Sequence, residues 1–116
     1  MEAAEPLPAD LGRITISSAA IAQIVGATAA ECYGVVGMAR TGRGRLVPLE
    51  RMTQGVVVGR DGASVKLDLH VVVEYGLNLA EVASTIRSRV TYEVERLTGL
   101  GVSSIEVHIE GARRST

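Results

Sequence analysis

The chain has no tryptophan, no phenylalanine and only three tyrosines in 116 residues. Its core must therefore come from Val, Ile, Leu and Ala, and the aromatic platforms on which single-stranded nucleic acids stack are missing. A single cysteine, Cys32, excludes an internal disulfide and a four-cysteine zinc site. Long apolar runs are absent too. Val35-Val36 is enclosed by Gly34 and Gly37, and Val71 to Val73 by His70 and Glu74, far short of the roughly 20 residues of a membrane span. Charge of one sign is not in surplus: 12 basic and 13 acidic residues leave a net of -1, so no global field gathers nucleic acid or anionic membrane. Met1 to Asp10 shows no charged-then-apolar signal pattern. The expected location is the cytoplasm.

What is present suffices for one modest core. Residues 1–11, with Pro6 and Pro8, read as a disordered lead-in. Arg13 to Ile16 is β-rich, and Ser17-Ser18 offers an N-cap. Ile21, Ile24, Val25, Thr28, Ala29 and Cys32 then share one helical face, and Gly34 stops that helix. Val35 to Ala39 reads as extended, and residues 40–54 as a mobile loop with one helical turn near Pro48 to Met52. Val56 to Tyr75 predicts a hairpin around an Asp61-Gly62 turn. In its second strand Val65, Leu67, Leu69, Val71 and Val73 point inward, while Lys66, Asp68, His70, Val72 and Glu74 point out.

Asn78 and Glu81 form a capping-box-like start to a long helix. Its apolar stripe is Leu79, Val82, Ala83, Ile86, Val90, Val94 and Leu97. Thr98-Gly99 ends it, and Val102 to Ile109 is a last strand with Ile105, Val107 and Ile109 inward. The predicted fold is α+β: a two-layer sandwich with two amphipathic helices on one face of a small sheet that contains the Asp-Gly hairpin. Residues 12–111 form the single domain, and residues 112–116 a short basic tail.

Four segments in order resemble the alkaline shock protein 23 family. They are Gly12 to Ile16, Glu31 to Met38, Val71 to Asn78, and Leu97 to Leu100 followed by Val102 to Gly111. The resemblance covers residues 12–111 and implies a bacterial protein of stress response and cell-envelope maintenance. It further implies protein partners, membrane-anchored ones included, and it brings no catalytic motif. The Arg-Gly-Arg loop departs from the family pattern.

Arg40, Arg43, Arg45 and Arg51, with Gly42 and Gly44 between them, are the candidate site for an acidic partner segment or another anion. The Gly-Lys-Ser/Thr ending of a P-loop is missing, and an exposed, solvated loop is the plainer reading. His70 and His108 both fall on outward strand faces. Asp68 and Glu74 accompany the first, Glu106 and Glu110 the second. If the two strands are neighbours, these residues form a His/carboxylate cluster of the type that suits zinc. A solvated polar sheet face is the plainer alternative, so no metal, cofactor or catalytic residue is assigned. Cys32, on the apolar side near a helix end, reads as a structural thiol.

The leading functional reading is a non-enzymatic, self-associating interaction or scaffold module near the cytoplasmic membrane. Sheet edges and the outward Val57 and Val72 are its candidate contact surfaces. The alternative is a KH-like nucleic-acid-binding domain using the loop at 40–51. An enzyme acting on a lipid precursor ranks last, because no nucleophile, base and oxyanion donor fall together.

Overall fold

The alternation of residues 64–74 organises everything else. In the computed structural model, which describes residues 5–7, 14–39, 46–47 and 55–114, this segment is β6 (Ser64–Glu74). The elements before it are β1 (Glu5–Leu7), β2 (Ile14–Ile16), α1 (Ser18–Glu31), β3 (Val35–Ala39), β4 (Leu46–Val47) and β5 (Val56–Asp61); α2 (Leu79–Thr98) and β7 (Gly101–Arg113) follow. β5 pairs antiparallel with the first half of β6, from Asp61↔Ser64 to Val56↔Leu69. β3 pairs antiparallel with the second half, Met38 opposite Val71 and Val35 opposite Val73. β7 runs parallel along the whole strand, from Ser64↔Gly101 to Glu74↔Arg113. A strand has two edges, so β3 and β5 share one and meet end to end there. A parallel neighbour needs a long crossover, and α2 provides it.

Both helices lie on the face of β6 that carries Val65, Leu67, Leu69, Val71 and Val73. All five valines and leucines are buried, in one cluster with Ile21, Val25 and Ala29 of α1 and Val82, Ile86, Val90 and Val94 of α2. This is the expected α+β two-layer arrangement. Each helix start is capped as its sequence suggests. Ser17 Oγ accepts from the Ala20 N–H at 3.1 Å, and Asn78 Oδ1 from the Glu81 N–H at 3.1 Å. Gly99, left-handed at φ 76°, closes α2.

The structure departs from the sequence expectations at several points. The β5–β6 turn is Gly62-Ala63 and not Asp61-Gly62, because Asp61 is paired with Ser64 across the hairpin. Gly62 has φ 64°, whereas no described non-glycine residue has a positive φ. A glycine alone at the first central position is the type II′ pattern.

The α2 stripe also runs differently. Buried positions step by four from Val82 through Ile86, Val90 and Val94 to Thr98, which turns Leu97 and Leu79 outward to 52% and 45% exposure. Thr98 is tolerated inside because its hydroxyl donates to the Val94 carbonyl at 2.6 Å and accepts from the Leu100 N–H at 3.1 Å.

Val72, expected to face solvent, is fully buried between its register partners Gly37 and Gly111. The far face of the sheet is therefore covered at this end and wet at Lys66. Within the stretch read as a lead-in, Glu5–Leu7 pairs with Ile14–Ile16, and Pro6 is accommodated in a strand that pairs on one side only among the described residues. Strand β7 extends to Arg113, so the first two residues of the predicted tail are strand.

The junction of β3 and β5 falls at Gly55. A Cβ there would lie 2.7 Å from the Ala39 carbonyl oxygen, 2.8 Å from that of His70 and 3.1 Å from Met38 Cβ. None of these can rotate away, two being backbone. Gly55→Ala is expected to lower stability by about 1–3 kcal/mol. Gly59→Ala, whose Cβ would sit 3.8 Å from Lys66 Cβ, should stay within about 0.5 kcal/mol of the parent. Urea melts of the two variants check this; equal losses would contradict the end-to-end junction.

Candidate functional site

The face of the sheet away from the helices carries the titratable residues. Parallel pairing sets Asp68 opposite Glu106 and His70 opposite His108. The two imidazoles stack, with centroids 4.6 Å apart and planes 12° from parallel. Their partners differ. His70 Nδ1 lies 2.7 Å from Glu110 Oε2, and since a carboxylate only accepts, the ring N–H donates. His108 Nε2 lies 3.1 Å from Asp68 Oδ1 and 3.7 Å from Glu106 Oε1. His70 is buried, whereas the His108, Asp68 and Glu106 side chains are 39%, 43% and 71% exposed. One end of the row is a closed His–Glu pair and the other an open three-residue cluster.

Two irregularities in β7 frame this row. Ser103 and Glu110 are extra residues in the register, one between the pairs Val65↔Val102 and Lys66↔Ser104, the other between Val71↔Ile109 and Val72↔Gly111. Each is tied down by its side chain: Ser103 Oγ donates to the Val65 carbonyl at 3.2 Å, and Glu110 accepts from the His70 ring. Bulges of this type re-aim side chains. The sheet face thus holds His70 by a residue that regular pairing would have placed against a β6 partner of its own.

Asp68 and Glu106 are like charges directly across a strand pair, an unfavourable juxtaposition. It is relieved by His108 Nε2, which sits close to both carboxylates. The donor atoms of Asp68, Glu106 and His108 all lie within 4.8 Å of one another. Carboxylate oxygens and an imidazole nitrogen are the donor types that divalent metals take from proteins. The sequence placed these residues on outward faces, and of the conditional cluster it described all but Glu74 come together in this row. Glu74 stands apart, opposite Arg113.

The other sequence-derived candidates are distributed differently. Arg40, Arg43, Arg45 and Arg51 lie outside the described residues, as do Gly42 and Gly44. The segment that carries them connects β3 to β5, and a KH-type loop would connect two helices. Cys32 is buried, and its Sγ donates to the Thr28 carbonyl at 3.4 Å. Burial pushes its thiol pKa up, with Arg89 opposing this and Glu31 adding to it, the reverse of an activated cysteine. Among the described residues, no Ser, Thr or Cys side chain is hydrogen-bonded to either imidazole.

A family profile for alkaline shock protein 23, described by a cell envelope-related function, matches residues 7–114. The chain belongs to the alkaline shock protein 23 family. It is 35% identical over 107 residues to the uncharacterized protein YloU of Bacillus subtilis, covering 88% of this chain and 89% of the relative. The uncharacterized protein Spy1614 of Streptococcus pyogenes is 32% identical over 107 residues, at 88% of each chain. The uncharacterized protein YqhY of Bacillus subtilis is 27% identical over 113 residues, at 91% of this chain and 81% of its own. No solved structure matches the chain. The expected resemblance is thus correct, and the relatives indicate no enzymatic family. Among the described residues, no helix is long and apolar enough to cross a membrane.

The His70–Glu110 contact is part-buried, with side-chain exposures of 11% and 21%. Glu110→Ala strands a buried ring donor and should cost about 1–3 kcal/mol. Chemical denaturation of this variant at neutral pH is the measurement; a loss under about 0.5 kcal/mol would mean that the pair is not formed in solution.

Proposed function

We propose that this member of the alkaline shock protein 23 family serves the cell envelope as a non-catalytic scaffold that self-associates through the outer edge of β7. The observation that carries the reading is the state of that edge. β7 is thirteen residues long, and among the described residues it pairs on one side only, with β6. Its inward residues Ile105, Val107 and Ile109 are only partly buried against the core. A strand of this length with half-covered aliphatics is the surface that edge-to-edge pairing completes. A second copy laid antiparallel across a two-fold axis would continue the sheet and give a closed dimer.

A non-catalytic role agrees with the inert setting of Cys32 and with imidazoles whose hydrogen-bond partners among the described residues are carboxylates. The arginines at 40, 43, 45 and 51 supply the second half of the reading. Four guanidinium groups against one carboxylate in twelve residues suit an acidic segment of a protein partner, a membrane-anchored one included. Assembly by the strand edge would multiply such weak contacts by presenting several loops together.

Two measurements bear on this. In light scattering across a concentration series, the parent chain is expected to self-associate, and Ile105→Lys, which adds an edge lysine, to weaken association at least tenfold. A strict monomer at high concentration would overturn the assembly. Separately, replacing Arg40, Arg43, Arg45 and Arg51 together with alanine should reduce co-sedimentation with anionic vesicles, used as the simplest acidic surface, at low salt. Unchanged co-sedimentation would remove the loop from the reading.

A further inference from the structure

The open end of the histidine row has a geometry that neither the family description nor the scaffold reading uses. We propose that Asp68, Glu106 and His108 form a binding site for a divalent transition-metal ion, with Zn²⁺ the best fit. Zinc–nitrogen and zinc–oxygen bonds of about 2.0–2.2 Å at tetrahedral angles place two ligand atoms roughly 3.4 Å apart. His108 Nε2 stands 3.1 Å from Asp68 Oδ1 and 3.7 Å from Glu106 Oε1, values on either side of that distance. The third pair lies within 4.8 Å, and an exposed glutamate closes such a gap by rotating its own side chain.

The backbone beneath is stiff. Asp68 and Glu106 are register partners on adjacent strands, and His108 is two residues along β7 on the same face. The three ligands therefore rise from a paired sheet and not from loops, which fixes their separation before an ion arrives. The ring of His108 is further held by stacking on His70, itself anchored to Glu110. Oriented rings of this kind are what metal-ligating histidines need from their surroundings.

Charge favours the same conclusion. Two carboxylates directly across the strand pair repel, and a dication offsets both more fully than the imidazole between them does. The proton on Nε2 leaves as the nitrogen becomes a ligand. Donor chemistry selects the ion, since an imidazole ranks Zn²⁺ well above Mg²⁺ while the carboxylates accept either. Three protein ligands leave one tetrahedral position toward solvent, filled by water.

The test uses the full chain without a tag, stripped by chelator. Calorimetric titration with ZnCl₂ is expected to show saturable one-to-one binding, and thermal melts a rise in Tm that MgCl₂ at the same concentration does not produce. Asp68→Asn, Glu106→Gln and His108→Asn should each weaken Zn²⁺ binding at least tenfold and remove the rise. Glu31→Gln, at an exposed carboxylate paired with Arg89 3.6 Å away, should bind as the parent does. Glu106 is the most exposed of the three ligands, so its variant keeps the test decisive should another fail to fold. Absence of saturable binding, or parental affinity in Glu106→Gln, would overturn the site.

Discussion

Strand β6 has two edges and two faces, and the protein uses all four. One edge is shared by β5 and β3, the other is taken by β7 over its full length, one face is buried by both helices and the other carries the histidine row. Most of the remaining features answer to this arrangement. Because two strands must end against each other on one edge, Gly55 lies where a side chain would strike two carbonyl oxygens. Because the other edge is parallel, a helix must carry the chain back, and α2 is the longer of the two described helices for that reason.

The same pairing brings opposed carboxylates and stacked imidazoles together. A parallel neighbour in register puts His70 beside His108 and Asp68 beside Glu106; a slip of one residue would turn the partner residues to the helix face. The two extra residues in β7 then adjust the row. Glu110 is the one with chemical effect, since its carboxylate takes the buried His70 and leaves His108 to the exposed pair Asp68 and Glu106. Two histidines of identical type thereby acquire different surroundings, one closed and one open to solvent.

The family relationship sets the chain in a cell-envelope context. Within that context the polar face and the outer edge of β7 are adjacent parts of one surface, because half of the row belongs to that strand itself. The helices pack on the opposite face of β6, and α2 borders the outer side of β7 through Ala83 and Arg87, which lie beside Ile105 to His108. A small aliphatic domain without large aromatic anchors has few other ways to make a persistent contact, since hot spots of tight interfaces favour Trp, Tyr and Arg. Its tyrosines, Tyr33, Tyr75 and Tyr92, are exposed but dispersed over a turn, a strand end and the outer side of α2.

Local pattern was enough to set the layers of this protein. Alternating valines and leucines from Val65 to Val73 can bury one side only in a strand, and the four-residue steps from Val82 to Val94 can bury one side only in a helix. Ser17 and Asn78 marked the helix starts because their side chains can accept a backbone N–H nowhere else so well. Other features answer to contacts that local pattern does not encode. A turn shifted by one residue to Gly62-Ala63 follows from the cross-strand pairing of Asp61 with Ser64. Leu97 lost its place to Thr98 because Val94 and Leu100 supply the hydroxyl with both partners. The strand that lies beside β6 is separated from it by an entire helix in sequence, so the meeting of His70 with His108 was decided by packing alone. Face is a property of a residue and its neighbours along the chain, whereas adjacency between strands belongs to the whole fold.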